Sequence, residues 1–342
     1  MHTDRIDRHR RLAISAIGEP MAEFSSYGKE RYGLSFSGDA VNVATSAARL
    51  GLKSCVISAS GDDYFGVELL KFMKHEGISA GGMETVKDGF TGIYFISLGK
   101  NGEHRFTYYR KGSAAADMRL TERQLQTIGD SSIFHFSGIA QGISETSAAA
   151  VAIALKTARR AGCFISYDVN FRPALWKKDM AIRALETAVK NTDVIFVSSE
   201  DYTMLFGKES VPAAIRHFRS MGAVNIIYKS GGKGSTADFN GSRIRQEAFH
   251  VNALDATGAG DAFDAGFLSQ YYRTGDTKES LMFASINAAL KCLKKGGTRG
   301  LPMLDTVTKT MKKQRRKKSG PEETRPRGWV APVNHDKARV HP

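Results

Sequence analysis

Short, continuous apolar runs alternate with longer stretches of helical periodicity along most of this chain. Residues 12–18 (Leu-Ala-Ile-Ser-Ala-Ile-Gly) form one such run, closed by Glu-Pro, as expected of a strand buried inside a sheet. Residues 21–25 read as its extension, and residues 26–38 as an irregular, polar, glycine-rich segment. From Asp39, read as a cap, Val41, Ala44, Ala48 and Leu50 recur on one helical face that ends at Gly51. The run 53–59 is the next strand and 62–76 the next helix, stopped by Gly77. Such alternation predicts a parallel sheet with helices on its faces.

Residues 83–110 break the rhythm. The runs 83–86, 91–98 and 104–109 look like strands with no helix between them, and Lys100-Asn101-Gly102 reads as a hairpin turn. They predict a small antiparallel sheet projecting from the main one, a lid when combined with 26–38. The alternation then resumes, with strands at 132–136, 163–168, 193–197 and 224–229 and helices at 145–161, 179–191, 200–206 and 211–221. Strands 236–239 and 242–247 join through Asn240-Gly241 as a second hairpin. A strand-like run at 248–254 leads into a helix at 259–272, and a last helix covers 277–294. The predicted fold is one α/β domain over 13–306, a doubly wound, mostly parallel sheet with helices on both faces. Its β lid is drawn from about 19–37 and 83–115.

Composition bounds this picture. The 342 residues are 42% hydrophobic, enough for one large domain, and no apolar run reaches the length of a membrane span. The charged stretch 1–12 has no signal-peptide core. Cys55, Cys163 and Cys292 are too far apart for a metal motif and read as reduced, buried thiols, so a cytoplasmic location is expected. The net charge of +14 belongs mostly to the tail: residues 307–342 hold eleven Lys or Arg against three Asp or Glu. That segment, with four prolines from Pro321 onward, is expected to be a disordered extension, and any nucleic-acid contact would be confined to it.

The chemistry concentrates in residues 255–267, Asp-Ala-Thr-Gly-Ala-Gly-Asp-Ala-Phe-Asp-Ala-Gly-Phe. Gly258 and Gly260 uncover the backbone at the start of a helix, whose unpaired N–H groups and dipole form an anion site. Asp261 in its first turn is placed to take a proton from a hydroxyl attacking a phosphate. The string alone is equally compatible with an acid favoured there by the dipole. Other polar groups follow predicted strands: Asp168, Asn170 and Arg172; Ser198 and Asp201; Lys229, Gly231 and Gly234. In open α/β sheets that rim is where ligands bind. On the lid, Tyr108 and Arg110 share a face that suits a polyhydroxylated anion, or is ordinary surface-strand chemistry.

Asp255-Ala-Thr-Gly-Ala-Gly-Asp261 resembles the C-terminal signature of the ribokinase-like (PfkB) carbohydrate kinases. Ser37-Gly-Asp-Ala-Val-Asn-Val-Ala44, running on to Gly61-Asp-Asp-Tyr-Phe-Gly66, resembles their N-terminal signature, and the likeness extends from about 13 to 300. Four strings, beginning at Gly18, Phe90, Tyr108 and Asp168, resemble 2-keto-3-deoxygluconate kinases. The resemblance implies an ATP- and Mg²⁺-dependent kinase with Asp261 as base and the amides of Gly258, Ala259 and Gly260 as the anion hole. It implies a sugar-acid pocket of Gly38, Asn42, Tyr94, Tyr108, Arg110 and Arg172, and a nucleotide side of Ser198, Lys229, Gly231, Gly234, the 258–261 loop and Asn287. Ser198 and Asp201 stand where many members carry Asn and Glu, leaving Asp201 as a metal contact through water. A homodimer through the lid is a further implication, and ribokinase, fructokinase and nucleoside kinase activities are the alternatives, with a non-catalytic sugar- or nucleotide-binding protein behind them.

Overall fold

The computed structural model describes residues 6–28, 30–98 and 104–319. In chain order β1 (Leu12–Ile17) is followed by β2 (Met21–Ser26), β3 (Tyr32–Ser37), α1 (Asp39–Arg49), β4 (Ser54–Gly61), α2 (Tyr64–His75) and β5 (Met83–Val86). Next come β6 (Gly92–Leu98), β7 (His104–Tyr109), α3 (Glu122–Gly129), β8 (Ser131–Ser137), α4 (Gly138–Gly142), α5 (Glu145–Arg160) and β9 (Phe164–Asp168). The chain continues through α6 (Lys178–Val189), β10 (Val194–Ser198), α7 (Ser199–Phe206), α8 (Val211–Ser220), β11 (Ile226–Lys229), β12 (Ser235–Phe239) and β13 (Ser242–Gln246). It closes with α9 (Ala259–Thr274), α10 (Thr277–Lys291) and α11 (Leu304–Ser319).

The main sheet has the order β13-β12-β11-β10-β9-β8-β1-β4-β5, parallel from β11 to β5, with β12 antiparallel to both β11 and β13 at one edge. Successive residues of a strand face opposite sides, so a continuous apolar run feeds two cores at once. Ile165, Tyr167, Ile195 and Val197 pack under α5, α6 and α8, whereas Phe164, Val194 and Phe196 pack under α1, α9 and α10. Each such fully buried side chain contributes about 1.5–3 kcal/mol. The expected doubly wound architecture is therefore present.

The second sheet, β3-β2-β6-β7, is the lid. Its composition corrects the sequence reading in three places. Residues 21–25 do not extend β1: the Glu19-Pro20 step carries the chain out of the main sheet, and β2 pairs with β3 and β6. Residues 32–37, read as irregular, are strand β3. Met83–Val86 stays in the main sheet, parallel to β4, because α2 gives it an ordinary crossover. The turn at 100–102 lies outside the described residues.

Two further expectations fail. Residues 248–254 form no strand; their backbone groups bond to α10 instead, Phe249 N to Ser285 Oγ and Leu254 N to Cys292 O. The basic segment from 307 is not a disordered extension up to residue 319, since it is helix α11. Val307 and Met311 sit one turn apart on it and pack against Leu50, Phe283 and Ile286, while Lys312, Lys313, Arg315 and Arg316 face outward. Helices α3 and α4 were not anticipated. The described part of the N-terminal stretch is docked: Ile6 is buried and Arg10 donates to Gly129 O at 2.9 Å.

Candidate active site

Beneath the lid, the ends of β9, β10 and β11 and the start of α9 enclose an open cleft of about 2360 Å³. Gly258 is the N-cap of α9, held in the left-handed conformation at φ 74°, where a side chain would be strained. No side chain caps this helix, so its first amides open into the cleft. Gly38 is constrained twice, by its own positive φ of 126° and because a Cβ there would lie 2.1 Å from Glu19 O. Close approach of the β3–α1 turn to Glu19 demands glycine.

Asp261 lies in the first turn of α9 and lines the cleft. Burial pushes its pKa up to about 6, against the hydrogen bond from Asn42, which favours the charged form. Asn42 Nδ2 donates to Asp261 Oδ2 at 2.8 Å, and Ser37 Oγ donates to Asn42 Oδ1 at 3.0 Å. A strand of the lid is thus linked to this carboxylate through one amide. A carboxyl group poised near neutrality at a helix N-terminus can accept a proton from a hydroxyl beside a bound anion.

Behind Asp261 is a buried ion cluster. Lys229 Nζ is 2.9 Å from Asp264 Oδ1 and 3.1 Å from Asp168 Oδ2. Burial disfavours the Lys229 charge, but the two carboxylates more than reverse this and its pKa is raised. Lys229 therefore reaches the cleft as a fixed, permanently charged group on the floor.

On the lid side, Arg110 pairs with the carboxylate of Glu19, which also accepts from Ser113 Oγ at 2.8 Å. Arg172 is half-exposed, with Nη1 3.7 Å from Asp201 Oδ1. Tyr108 lines the cleft next to Arg110, whose guanidinium sits 5.5 Å from the ring centre. Tyr94 also reaches the cleft, but its hydroxyl donates to Glu23, a fully buried carboxylate. Glu23 Oε1 accepts from Ser25 Oγ at 2.9 Å and Ser35 Oγ at 3.0 Å, and Oε2 from Gly297 N at 3.0 Å. These bonds latch the lid to the loop after α10.

Ser198, Gly231 and Gly234 also line the cleft, together with Ser285, Ala288 and Cys292. Asp201 lines it too, but Oδ1 accepts from Phe171 N at 2.9 Å and Oδ2 from Ser198 Oγ at 2.6 Å. Asn287 is misplaced by the sequence reading. It is fully buried between helices, donating to Ala262 O at 2.7 Å and Ser46 Oγ at 3.1 Å, and is absent from the cleft wall. Its helical neighbours Ser285 and Ala288 hold the exposed face instead.

Among the described residues no cluster of three acids, histidines or cysteines could hold a metal ion by itself. Asp168 Oδ1 is nevertheless buried beside the cleft without a hydrogen-bond partner. That suits a Mg²⁺ ion held mainly by phosphate oxygens and water, with one carboxylate nearby. Two cleft residues escaped the sequence reading. Asp39, taken for a cap, is buried with Oδ1 unpartnered, and its pKa is raised by burial. Glu19 fixes Arg110; the glycine that must follow Ser37 was the available signal for both, since it marks the close approach.

The pfkB family carbohydrate kinase model matches residues 14–304. A 2-dehydro-3-deoxygluconokinase of Thermoproteus tenax is 29% identical over 301 residues, covering 85% of this chain and 91% of the relative. Fructokinase-2 of Oryza sativa subsp. japonica is 33% identical over 290 residues, covering 81% and 84%. The crystal structure of a fructokinase with bound ATP from Xylella fastidiosa superposes with a TM-score of 0.81 at 24% identity, over 89% of this chain and 99% of that one. With the wound sheet, the lid and the uncapped glycine turn in place, the chain belongs to the pfkB family of carbohydrate kinases and is a phosphotransferase acting on a sugar hydroxyl.

Proposed function

We propose that this sugar kinase transfers the γ-phosphoryl group of ATP to a primary hydroxyl of 2-keto-3-deoxygluconate. The observation that carries the choice of a sugar acid is Arg172: half-exposed and lining the cleft, with Nη1 donating to Phe171 O at 2.9 Å and 3.7 Å from Asp201, and Nε and Nη2 left for a ligand. A planar guanidinium in that state offers two parallel hydrogen bonds to a carboxylate, which a neutral sugar would not use. The likeness to the Thermoproteus tenax enzyme supports the same reading. Arg110, already neutralised by Glu19, serves as a hydrogen-bond donor to sugar oxygens rather than as a free cation.

In this reading Asp261 accepts the proton of the attacking hydroxyl while the bond from the γ-phosphorus to the β–γ bridging oxygen breaks, and ADP leaves. The amides at Gly258, Ala259 and Gly260 face the transferring group, and removing such donors typically costs about 10²–10³ in rate. Lys229 adds a fixed positive charge below. The nucleotide is held by the part of the cleft lining that includes Ser198, Gly231, Gly234 and Ser285. Mg²⁺, when bound, neutralises phosphate charge; Asp168 is the residue that would face it, with Asp201 reaching it only through water.

The fructokinase relatives favour a second reading, in which the acceptor is fructose. A panel of ketodeoxygluconate, fructose, ribose and nucleosides, with ADP release measured by a coupled assay, decides between them. Turnover of fructose or ribose without turnover of ketodeoxygluconate would rule out the sugar-acid assignment.

A further inference from the structure

Lys291, the last residue of α10, is fully buried. Its Nζ donates to the backbone carbonyl of Asp255 at 3.1 Å. Burying an ammonium costs several kcal/mol, and lysine is almost never fully buried without a paired role. Burial lowers its pKa, while Asp255, Glu23 and Asp261 oppose that electrostatically. Leucine or methionine would fill the space without this cost.

The acceptor carbonyl begins the turn that ends at Gly258. The same turn is gripped by neighbouring bonds: Leu254 N and Asp255 N to Cys292 O at 2.8 and 3.2 Å, Thr257 N to Asp255 Oδ1 at 2.8 Å, and Gly296 N to Asp255 Oδ2 at 2.7 Å. The next residue, Gly297, carries the N–H that latches Glu23 of the lid. The ammonium thus sits where the end of α10, the glycine turn and the lid latch meet. A charge there also adds positive potential behind the amides, unscreened by solvent.

We propose that Lys291 is a positioning residue for phosphoryl transfer: a tethered cation that pins the Asp255 carbonyl and so aims the amides of the 258–260 turn. The inference rests on the reading of that turn as the phosphoryl site. It does not require Lys291 to touch either substrate.

The test compares the full-length parent with Lys291→Met, which keeps the side-chain volume, and Lys291→Ala. In Lys291→Met, kcat falls about 10²-fold while the sugar KM stays within about twofold. In Lys291→Ala, ethylammonium chloride restores kcat by about tenfold, and choline chloride at the same ionic strength does not. A folded Lys291→Met variant with the parent's kcat would overturn the inference, as would equal responses to the two salts. If Lys291→Ala is recovered unfolded, refolding with ethylammonium must return folded enzyme, and failure to do so also counts against it. Deuterium exchange keeps the two readings apart: amides across 254–262 exchange faster in Lys291→Met than in the parent. Unchanged exchange there defeats the role of Lys291, whereas a parent that releases no ADP with any sugar defeats the phosphoryl-site reading.

Discussion

The side-chain amide of Asn42, on α1, donates a hydrogen bond to the carboxylate of Asp261, on α9, across 2.8 Å. It favours the ionised base, yet burial prevails and the Asp261 pKa stands at about 6. A rate that needs the carboxylate free of its proton therefore rises with pH through about 6 and levels off above. Asn42→Leu removes the donor and moves that acid limb to higher pH. The profile of kcat/KM between about pH 5 and 9 measures the shift, and an unmoved midpoint would count against this pairing.

Asp261→Asn is expected to lower kcat by about 10²–10⁴-fold with nucleotide affinity retained, checked by coupled assay and calorimetric titration. It also has a stability signature. The folded pKa of about 6 lies above the ordinary 3.8, so the native state holds the proton more tightly than the unfolded chain. The stabilisation is full below 3.8 and lost as pH rises through about 6. The asparagine variant should therefore unfold at higher temperature than the parent near neutrality, by an amount worth at most roughly 3 kcal/mol, with the gap closing toward pH 4. A variant less stable than the parent at neutral pH would contradict this.

The two cleft arginines should separate. Arg172→Ala raises the KM for the sugar acid more than that for ATP and leaves stability within about 0.5 kcal/mol, because the residue is half-exposed. Arg110→Ala strands the buried Glu19 and costs about 3–5 kcal/mol. Adding Glu19→Gln to it recovers part of that loss. Denaturant melts and sugar titrations on the four proteins test the contrast, and equal destabilisation by both arginine variants would refute it.

Tyr94→Phe is expected to leave the sugar KM within about twofold, since the hydroxyl is committed to Glu23. The loss is one of stability, about 1–2 kcal/mol for a buried carboxylate left short of a donor. A large rise in sugar KM with no change in melting temperature would show that the hydroxyl serves substrate instead.

Truncation after Met303 removes Val307 and Met311 and exposes Leu50, Phe283 and Ile286. A loss of about 2–4 kcal/mol is expected, with kcat preserved at low temperature because α11 contributes no residue to the cleft wall. Thermal melts and assays of the truncated chain provide the check.

Much of this was legible in the chain itself. Burial on both faces of the sheet turned residues 12–17, 164–167 and 194–197 into nearly continuous apolar runs, and Gly258 with Asp261 marked the anion turn, because backbone conformation at such places admits few residue types. What pairs with what was settled only by the tertiary structure. Residues 248–254 have an apolar pattern that a strand or an irregular segment satisfies equally, and α10 took their hydrogen bonds. Residues 307–319 are highly charged, yet two apolar side chains one turn apart suffice to dock them on α10. The engaged state of Arg110, Tyr94 and Asp201, the burial of Asn287 and the ammonium of Lys291 under Asp255 all join residues distant in sequence. Residue type reveals what a side chain can bind; only the folded surroundings decide whether that capacity is left for a substrate or is already consumed within the protein.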